Sequence, residues 1–91
     1  MLHNELCDVL EQSIRTVAWF ALGEAIRLAQ DLIKICAEYR KHPKNKVCQA
    51  KLIEAADRTY EFLQRMNGPN VQTVADNLKR LMTQIKLETP Q

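Results

Sequence analysis

Residues 17–23 of the chain read Val-Ala-Trp-Phe-Ala-Leu-Gly, and this stretch decides how many helices the chain forms. Around it, apolar residues recur at three- and four-residue steps over about forty residues, which is the spacing of one helical stripe. Asn4 is a candidate N-cap for this segment, and Pro43 with the preceding His42 ends it. The stripe comprises Leu6, Val9, Leu10, Ile14, Val17, Ala21, Ala25, Leu28, Leu32, Ile35, Cys36 and Tyr39.

Two arrangements of residues 4–41 fit this pattern. A continuous helix would be about 57 Å long at ~1.5 Å per residue. About half of its apolar face would then need a second chain, most simply a second copy in a symmetric dimer. A bend near residues 19–23 would instead give four helices in a self-contained bundle, although Trp, Phe, Ala and Leu are poor turn formers and Gly23 weakens a helix only slightly. The matched helix lengths favour four helices.

The rest of the chain is divided by two breaks, at residues 42–45 and 67–70. They bound a helix from about Asn45 to Met66 and a last helix for which Asn70 is the candidate N-cap. Asn67-Gly68 can take the left-handed C-terminal conformation, and the proline that follows prevents continuation. The last stripe comprises Val71, Val74, Ala75, Leu78, Leu81, Met82 and Ile85.

A connection of four residues makes 45–88 a helical hairpin, and residues 89–91 are expected to be a frayed tail. The fold class is therefore all-α. Residues 1–91 form a single domain, a small antiparallel bundle of four helices, or of three with a long, dimerising first helix.

Composition restricts the class of protein. The chain has 91 residues, 46% of them hydrophobic, which suits one globular domain and argues against disorder. Its apolar runs are far shorter than the ~20 residues of a membrane span, and no secretory signal is recognisable. Cys7, Cys36 and Cys48 are an odd number without tight spacing. A cytoplasmic, reducing compartment is therefore predicted.

Residues with catalytic or metal-binding chemistry do not form a recognisable motif. The chain has no phosphate loop, nucleophile elbow or paired histidines on one helical face, so a non-enzyme is predicted. Cys36, His42 and Cys48 are separated by five residues each, wider than usual zinc spacings, and a fourth ligand is not evident. We therefore predict no metal and no cofactor, with Cys36 as a small core residue.

The stretch 17–22 is the best candidate for a partner contact. Six consecutive apolar residues cover the whole circumference of a helix, more than packing on two neighbours buries. One interpretation is structural, a helix end or a tight corner. The other is an outward-facing anchor, because tryptophan is enriched in interface hot spots. The predicted contacts are Trp19, Phe20, Leu22 and Val17; the first three are the anchors, and Val17 is a weaker neighbour together with Leu2.

These residues predict a non-catalytic protein–protein interaction module, such as a small adaptor, a chaperone-like protein or a regulatory protein. Its partner would be another protein or a second copy of itself, and recognition would occur through an apolar helical face. Catalytic residues are not predicted.

Charge provides the alternative function. Residues 1–39 carry six acids and three bases, whereas residues 40–91 carry ten bases and five acids. Packing of one half on the other is the simpler explanation, since acids and bases are interspersed in the second half. The alternative is a nucleic-acid-binding regulator that uses the last helix, with Gln72, Thr73, Asn77 and Arg80, and a basic segment. That segment contains Arg40, Lys41, Lys44, Lys46 and Lys51.

Overall fold

The computed structural model describes residues 2–20, 22–66, 68 and 70–88. Over these residues the chain forms four α-helices and no strand, so the predicted all-α fold with four helices is confirmed. The helices are α1 (Leu2–Ala18), α2 (Gly23–Lys41), α3 (Lys46–Arg65) and α4 (Val71–Glu88). The alternative of one continuous helix over residues 4–41 is wrong, and the predicted frayed tail, 89–91, lies outside the described residues.

The α2–α3 connection forms where the sequence predicts it. Helix α2 ends at Lys41, immediately before His42 and Pro43. The Asn45 side chain caps α3, its Oδ1 accepting hydrogen bonds from the backbone N–H groups of Val47 at 2.8 Å and Cys48 at 3.3 Å. Capping satisfies N–H groups that have no partner inside the helix, which fixes the start of α3.

The α3–α4 connection is described only in part, because Asn67 and Pro69 of the predicted break lie outside the described residues. Met66 ends α3 in an extended conformation, and Gly68 does not have a positive φ. Among the described residues of this connection, the left-handed backbone belongs to Asn70, with a φ of 65°, which asparagine tolerates better than most residues. Its carbonyl accepts from the Val74 N–H at 3.1 Å, so Asn70 precedes α4 as predicted, but not with the extended backbone of a usual N-cap.

Asn4 is also not an N-cap, because α1 already begins at Leu2. Its side chain instead links α1 to α2: the Tyr39 hydroxyl donates to Asn4 Oδ1 at 2.7 Å. Tyr39 is otherwise buried, so this bond satisfies the one polar group that its ring brings into the core.

The helices pack as an antiparallel bundle around one apolar core. Helix α1 contacts the other three helices, and α3 also packs on α2 and α4. Helices α2 and α4 do not contact each other in the described part of the chain, so α2 is covered only by α1 and α3. The core contains residues from all four helices, including Leu6, Leu10, Leu32, Leu52, Phe62, Leu63, Leu78 and Leu81.

Two buried hydroxyls fit into this core without disturbing it. Ser13 donates to the Leu10 carbonyl at 2.7 Å, and Thr59 donates to the Ala55 carbonyl at 2.8 Å. Both hydroxyls are thus satisfied within their own helix, which avoids the cost of an unpaired buried polar group. Among the described residues, no helix has an apolar stretch long enough to traverse a bilayer.

Candidate functional site

The corner between α1 and α2 is built from the apolar stretch that the sequence analysis singled out. Helix α1 finishes with a tight last turn, in which the Trp19 N–H donates to the Arg15 carbonyl and the Phe20 N–H donates to the Val17 carbonyl, both at 3.2 Å. Helix α2 then starts with Leu22 as its N-cap, and the Leu22 carbonyl accepts from the Ile26 N–H at 2.9 Å. Ala21 lies outside the described residues.

Two of the four predicted partner contacts hold this corner together. Val17 is completely buried in the core, so its prediction as a partner contact is corrected. Phe20 is half-buried and packs edge-to-face on Phe62 of α3, with ring centroids 5.9 Å apart. It also lies against the α3–α4 connection, where its Cζ is 3.2 Å from the position of a Cβ built on Gly68. Phe20 therefore closes one end of the bundle and offers only part of its ring to solvent.

The other two predicted contacts face solvent. The Trp19 side chain is 74% exposed and Leu22 is 48% exposed. Trp19 and Phe20 border an open cleft of about 260 Å³ that also touches Arg15, Thr16 and Asn70. Trp19 is thus a large, exposed apolar side chain at the rim of this cleft.

Leu2, the predicted weaker neighbour, is not part of this corner. It lies at the opposite end of α1, about 25 Å from Trp19 at ~1.5 Å per residue. Its side chain is partly buried against the core. Its inclusion among the partner contacts is therefore corrected.

A second row of exposed apolar residues runs along α2, and its exposure was not predicted from the sequence. We call it the α2 stripe: Leu22, Ile26, Ile33 and Ala37, all exposed. Steps of four, seven and four residues place them on one side of the helix, about 100° from its core-facing side. The sequence does contain a signal for this row: apolar residues cover a wider arc around this helix than its core-facing side alone requires.

Charged residues on α2 form two further rows with a seven-residue period. Glu24, Asp31 and Glu38 make the acidic row, and Arg27, Lys34 and Lys41 make the basic row. The acidic row turns toward α3, where Arg65 pairs with Glu24 at 2.6 Å and Arg58 pairs with Asp31 at 3.7 Å. These two ion pairs connect α2 to α3.

The predicted basic segment does not converge on one face. Arg40 reaches across to α1, where its Nη2 contacts Asp8 at 2.5 Å and Glu11 at 2.6 Å. These two carboxylates raise the pKa of Arg40. Lys46 and Lys51 are five residues apart on α3, which places them about 140° apart around that helix. Lys41 and Lys44 are exposed at the α2–α3 connection.

The last helix exposes most of the polar side chains considered for base readout, but an acidic residue lies among them. Gln72 Nε2 donates to Asp76 Oδ1 at 2.8 Å, which engages one of the candidate base-reading side chains. Asp76 also lies within one turn of Thr73 and Arg80, so a carboxylate stands in the middle of this face. A carboxylate there would be repelled by nucleic-acid phosphates.

The three cysteines occupy different environments. Cys7 and Cys36 are buried side by side between α1 and α2, and burial raises the pKa of both thiols. Cys36 is a core residue, as predicted. Cys48 is only partly buried. Within the described ranges, no three His, Cys, Asp or Glu side chains come together in a way that could hold a metal ion.

Comparisons with protein families, curated proteins and solved structures found no match to this chain. The surface just described is therefore the basis for proposing a function.

Proposed function

We propose that this protein is a non-catalytic interaction module that binds another protein through the apolar surface at the α1–α2 corner. The observation that carries the proposal is the 74% exposure of Trp19, next to exposed Leu22, at a corner held in place by buried neighbours. Val17 is buried beneath this corner and Phe20 packs on Phe62, so the backbone that carries Trp19 is attached to the core.

The large side chain of Trp19 can contribute a substantial part of the binding free energy. An aromatic side chain can bury on the order of 150 Å² or more, and each Å² of apolar surface removed from water contributes roughly 25 cal/mol. Full burial of Trp19 would therefore contribute about 4 kcal/mol before the costs of association. Leu22 extends this apolar area onto α2.

The test compares Trp19→Ala with Leu87→Ala. Leu87 is 81% exposed and lies near the end of α4, at the opposite end of the bundle from Trp19, so it controls for the loss of any exposed apolar side chain. A partner isolated from cells that express the protein should bind Trp19→Ala at least about thirtyfold more weakly, the effect of a hot-spot residue, measured by calorimetry.

Leu87→Ala should keep the affinity of the unchanged protein. Circular dichroism should show both variants folded, because neither side chain belongs to the core. The proposal is wrong if Trp19→Ala binds every isolated partner as tightly as Leu87→Ala does.

A further inference from the structure

The outer face of α2 combines the exposed α2 stripe with the basic row. In the described part of the chain, α2 packs only on α1 and α3, so this face has no intramolecular partner. Ile26 and Ile33 lie seven residues apart, and Arg27 and Lys34 directly follow them in the chain. In a coiled coil, apolar core positions are flanked by charged positions that repeat every seven residues, and this face has that arrangement with one isoleucine in each of two heptads.

The small residues of the same face fit that geometry. Gly23 and Ala37 alternate with the two isoleucines at three- and four-residue steps, with Gln30 between them. A Cβ added at Gly23 would have no neighbour within 4 Å, so this end of the face is open. A helix laid along α2 could therefore approach its backbone closely at these positions.

The charges determine which kind of helix fits. Glu24 and Asp31 of the acidic row pair with Arg65 and Arg58 of α3, whereas Glu38 lies within one helical turn of Lys34 and Lys41. None of the three basic-row side chains, Arg27, Lys34 and Lys41, has a carboxylate within ion-pair distance among the described residues. On the opposite edge of the stripe, Asp8 and Glu11 are both engaged by Arg40.

We propose that the outer face of α2 binds an amphipathic helix whose apolar side chains pack on Ile26 and Ile33 and whose acidic edge faces the basic row. This inference rests on the proposed function, and it specifies the chemistry of the partner. Opposite charges flanking an apolar seam select the partner and its orientation.

A second copy of the chain is a poorer occupant. In an antiparallel pair, the basic row of one copy would lie opposite that of the other, which is repulsive. In a parallel pair, the basic row of one copy would lie next to the α1 side of the other copy. The two carboxylates on that side, Asp8 and Glu11, already bind Arg40. The charge pattern therefore favours a different, acidic helix.

The experiment uses two synthetic helical peptides of about three heptads, with leucine at the seam positions. One carries glutamate at the flanking positions and the other carries lysine there. Fluorescence anisotropy of the labelled peptides, at low salt, measures their binding to the full chain. The glutamate peptide should bind at least about tenfold more tightly than the lysine peptide, and added salt should reduce this preference.

Two triple variants with the same change in net charge show which basic residues cause the preference for the glutamate peptide. Changing Arg27, Lys34 and Lys41 to glutamate should invert the preference between the peptides. Changing Lys44, Lys46 and Lys51 to glutamate should leave it in place. The double variant Ile26→Ser/Ile33→Ser should weaken binding of the glutamate peptide without unfolding the bundle, because both side chains are exposed.

Three outcomes would overturn the inference. Equal binding of both peptides would exclude an acidic partner but leave an apolar binding surface, and so the proposed function, intact. The absence of binding by either peptide would exclude the outer face of α2, whereas the Trp19→Ala comparison would still decide the proposed function. A doubled solution mass that is lost in Ile26→Ser/Ile33→Ser would show that a second copy covers this face.

Discussion

Leu22 lies at a position where its apolar side chain cannot stabilise the start of α2 by a hydrogen bond. As the N-cap of α2 it has the extended backbone of a cap, with φ −86° and ψ 151°, but it makes no side-chain capping bond. Serine, threonine, aspartate and asparagine stabilise this position because their oxygens accept from the first free N–H groups of the helix. An exposed leucine there violates a local rule, and such violations are expected at binding surfaces.

This conflict leads to a prediction for Leu22→Ser. The serine oxygen can accept from the N–H of Glu24 or Ala25, so the variant should raise the free energy of unfolding by about 0.5–1 kcal/mol. The same change should weaken binding of the protein partner several-fold, because it removes apolar contact area next to Trp19. Urea denaturation and calorimetry measure the two effects separately.

Leu87→Ser is the matched control, since it also replaces an exposed leucine but at a different end of the bundle. It should change neither quantity by much. If Leu22→Ser lowers the free energy of unfolding instead, then Leu22 stabilises the α1–α2 corner, and the argument for a functional leucine at this cap does not hold.

At the scale of helices, the sequence predicts best the elements bounded by local signals. Helix α3 was expected from about Asn45 to Met66 and extends over Lys46–Arg65, because Asn45 caps it and a Gly/Pro-containing break follows. The bend between α1 and α2 has no such signal. It forms because Val17 and Phe20 gain burial in the bundle, and this tertiary gain outweighs a weak preference for continued helix.

For the candidate site, too, features with a local signal in the sequence could be predicted, and features that depend on tertiary contacts could not. Trp19 and Leu22 were predicted because an unbroken apolar run stands out in any helix. Whether Val17 and Phe20 would be covered could not be predicted, since it depends on where α3 and the α3–α4 connection lie. The exposure of Ile26 and Ile33 was missed because they adjoin the core stripe in sequence, and only the position of α1 and α3 shows which side of α2 stays uncovered.

The contact between α1 and α2 can be tested through its two buried thiols. Burial raises the pKa of Cys7 and of Cys36 and covers both sulfur atoms, so both thiols should react slowly with a thiol reagent. Ellman's reagent should therefore react rapidly with only one of the three cysteines of the folded chain, the partly buried Cys48. Cys48→Ser should remove this rapid phase, and denaturant should make all remaining cysteines react at once.

The slow reaction of Cys7 and Cys36 then reports opening of the α1–α2 contact. Its rate should fall when a partner covers α2, because binding stabilises the closed bundle. Rapid reaction of all three cysteines without denaturant would contradict the packing described for these two helices.

At the scale of the whole molecule, the four helices cover each other's core faces. Among the described residues, the large exposed apolar side chains lie at the α1–α2 corner, on the α2 stripe, and singly at Val47 and Leu87. A bundle with a complete core does not need a second copy to fold. The basic row also opposes self-association through α2. We therefore expect a monomer of 10.5 kDa by light scattering at micromolar concentrations.

The fluorescence of the single tryptophan shows whether the α1–α2 corner is covered. Because Trp19 is largely exposed, its emission maximum in the monomer should lie close to that of tryptophan in water. Binding of a partner at the α1–α2 corner should shift the emission to shorter wavelength, and Leu87→Ala should show the same shift. A particle of twice the monomer mass whose emission is already shifted would contradict the expected monomer and would identify a second copy as the molecule that covers Trp19.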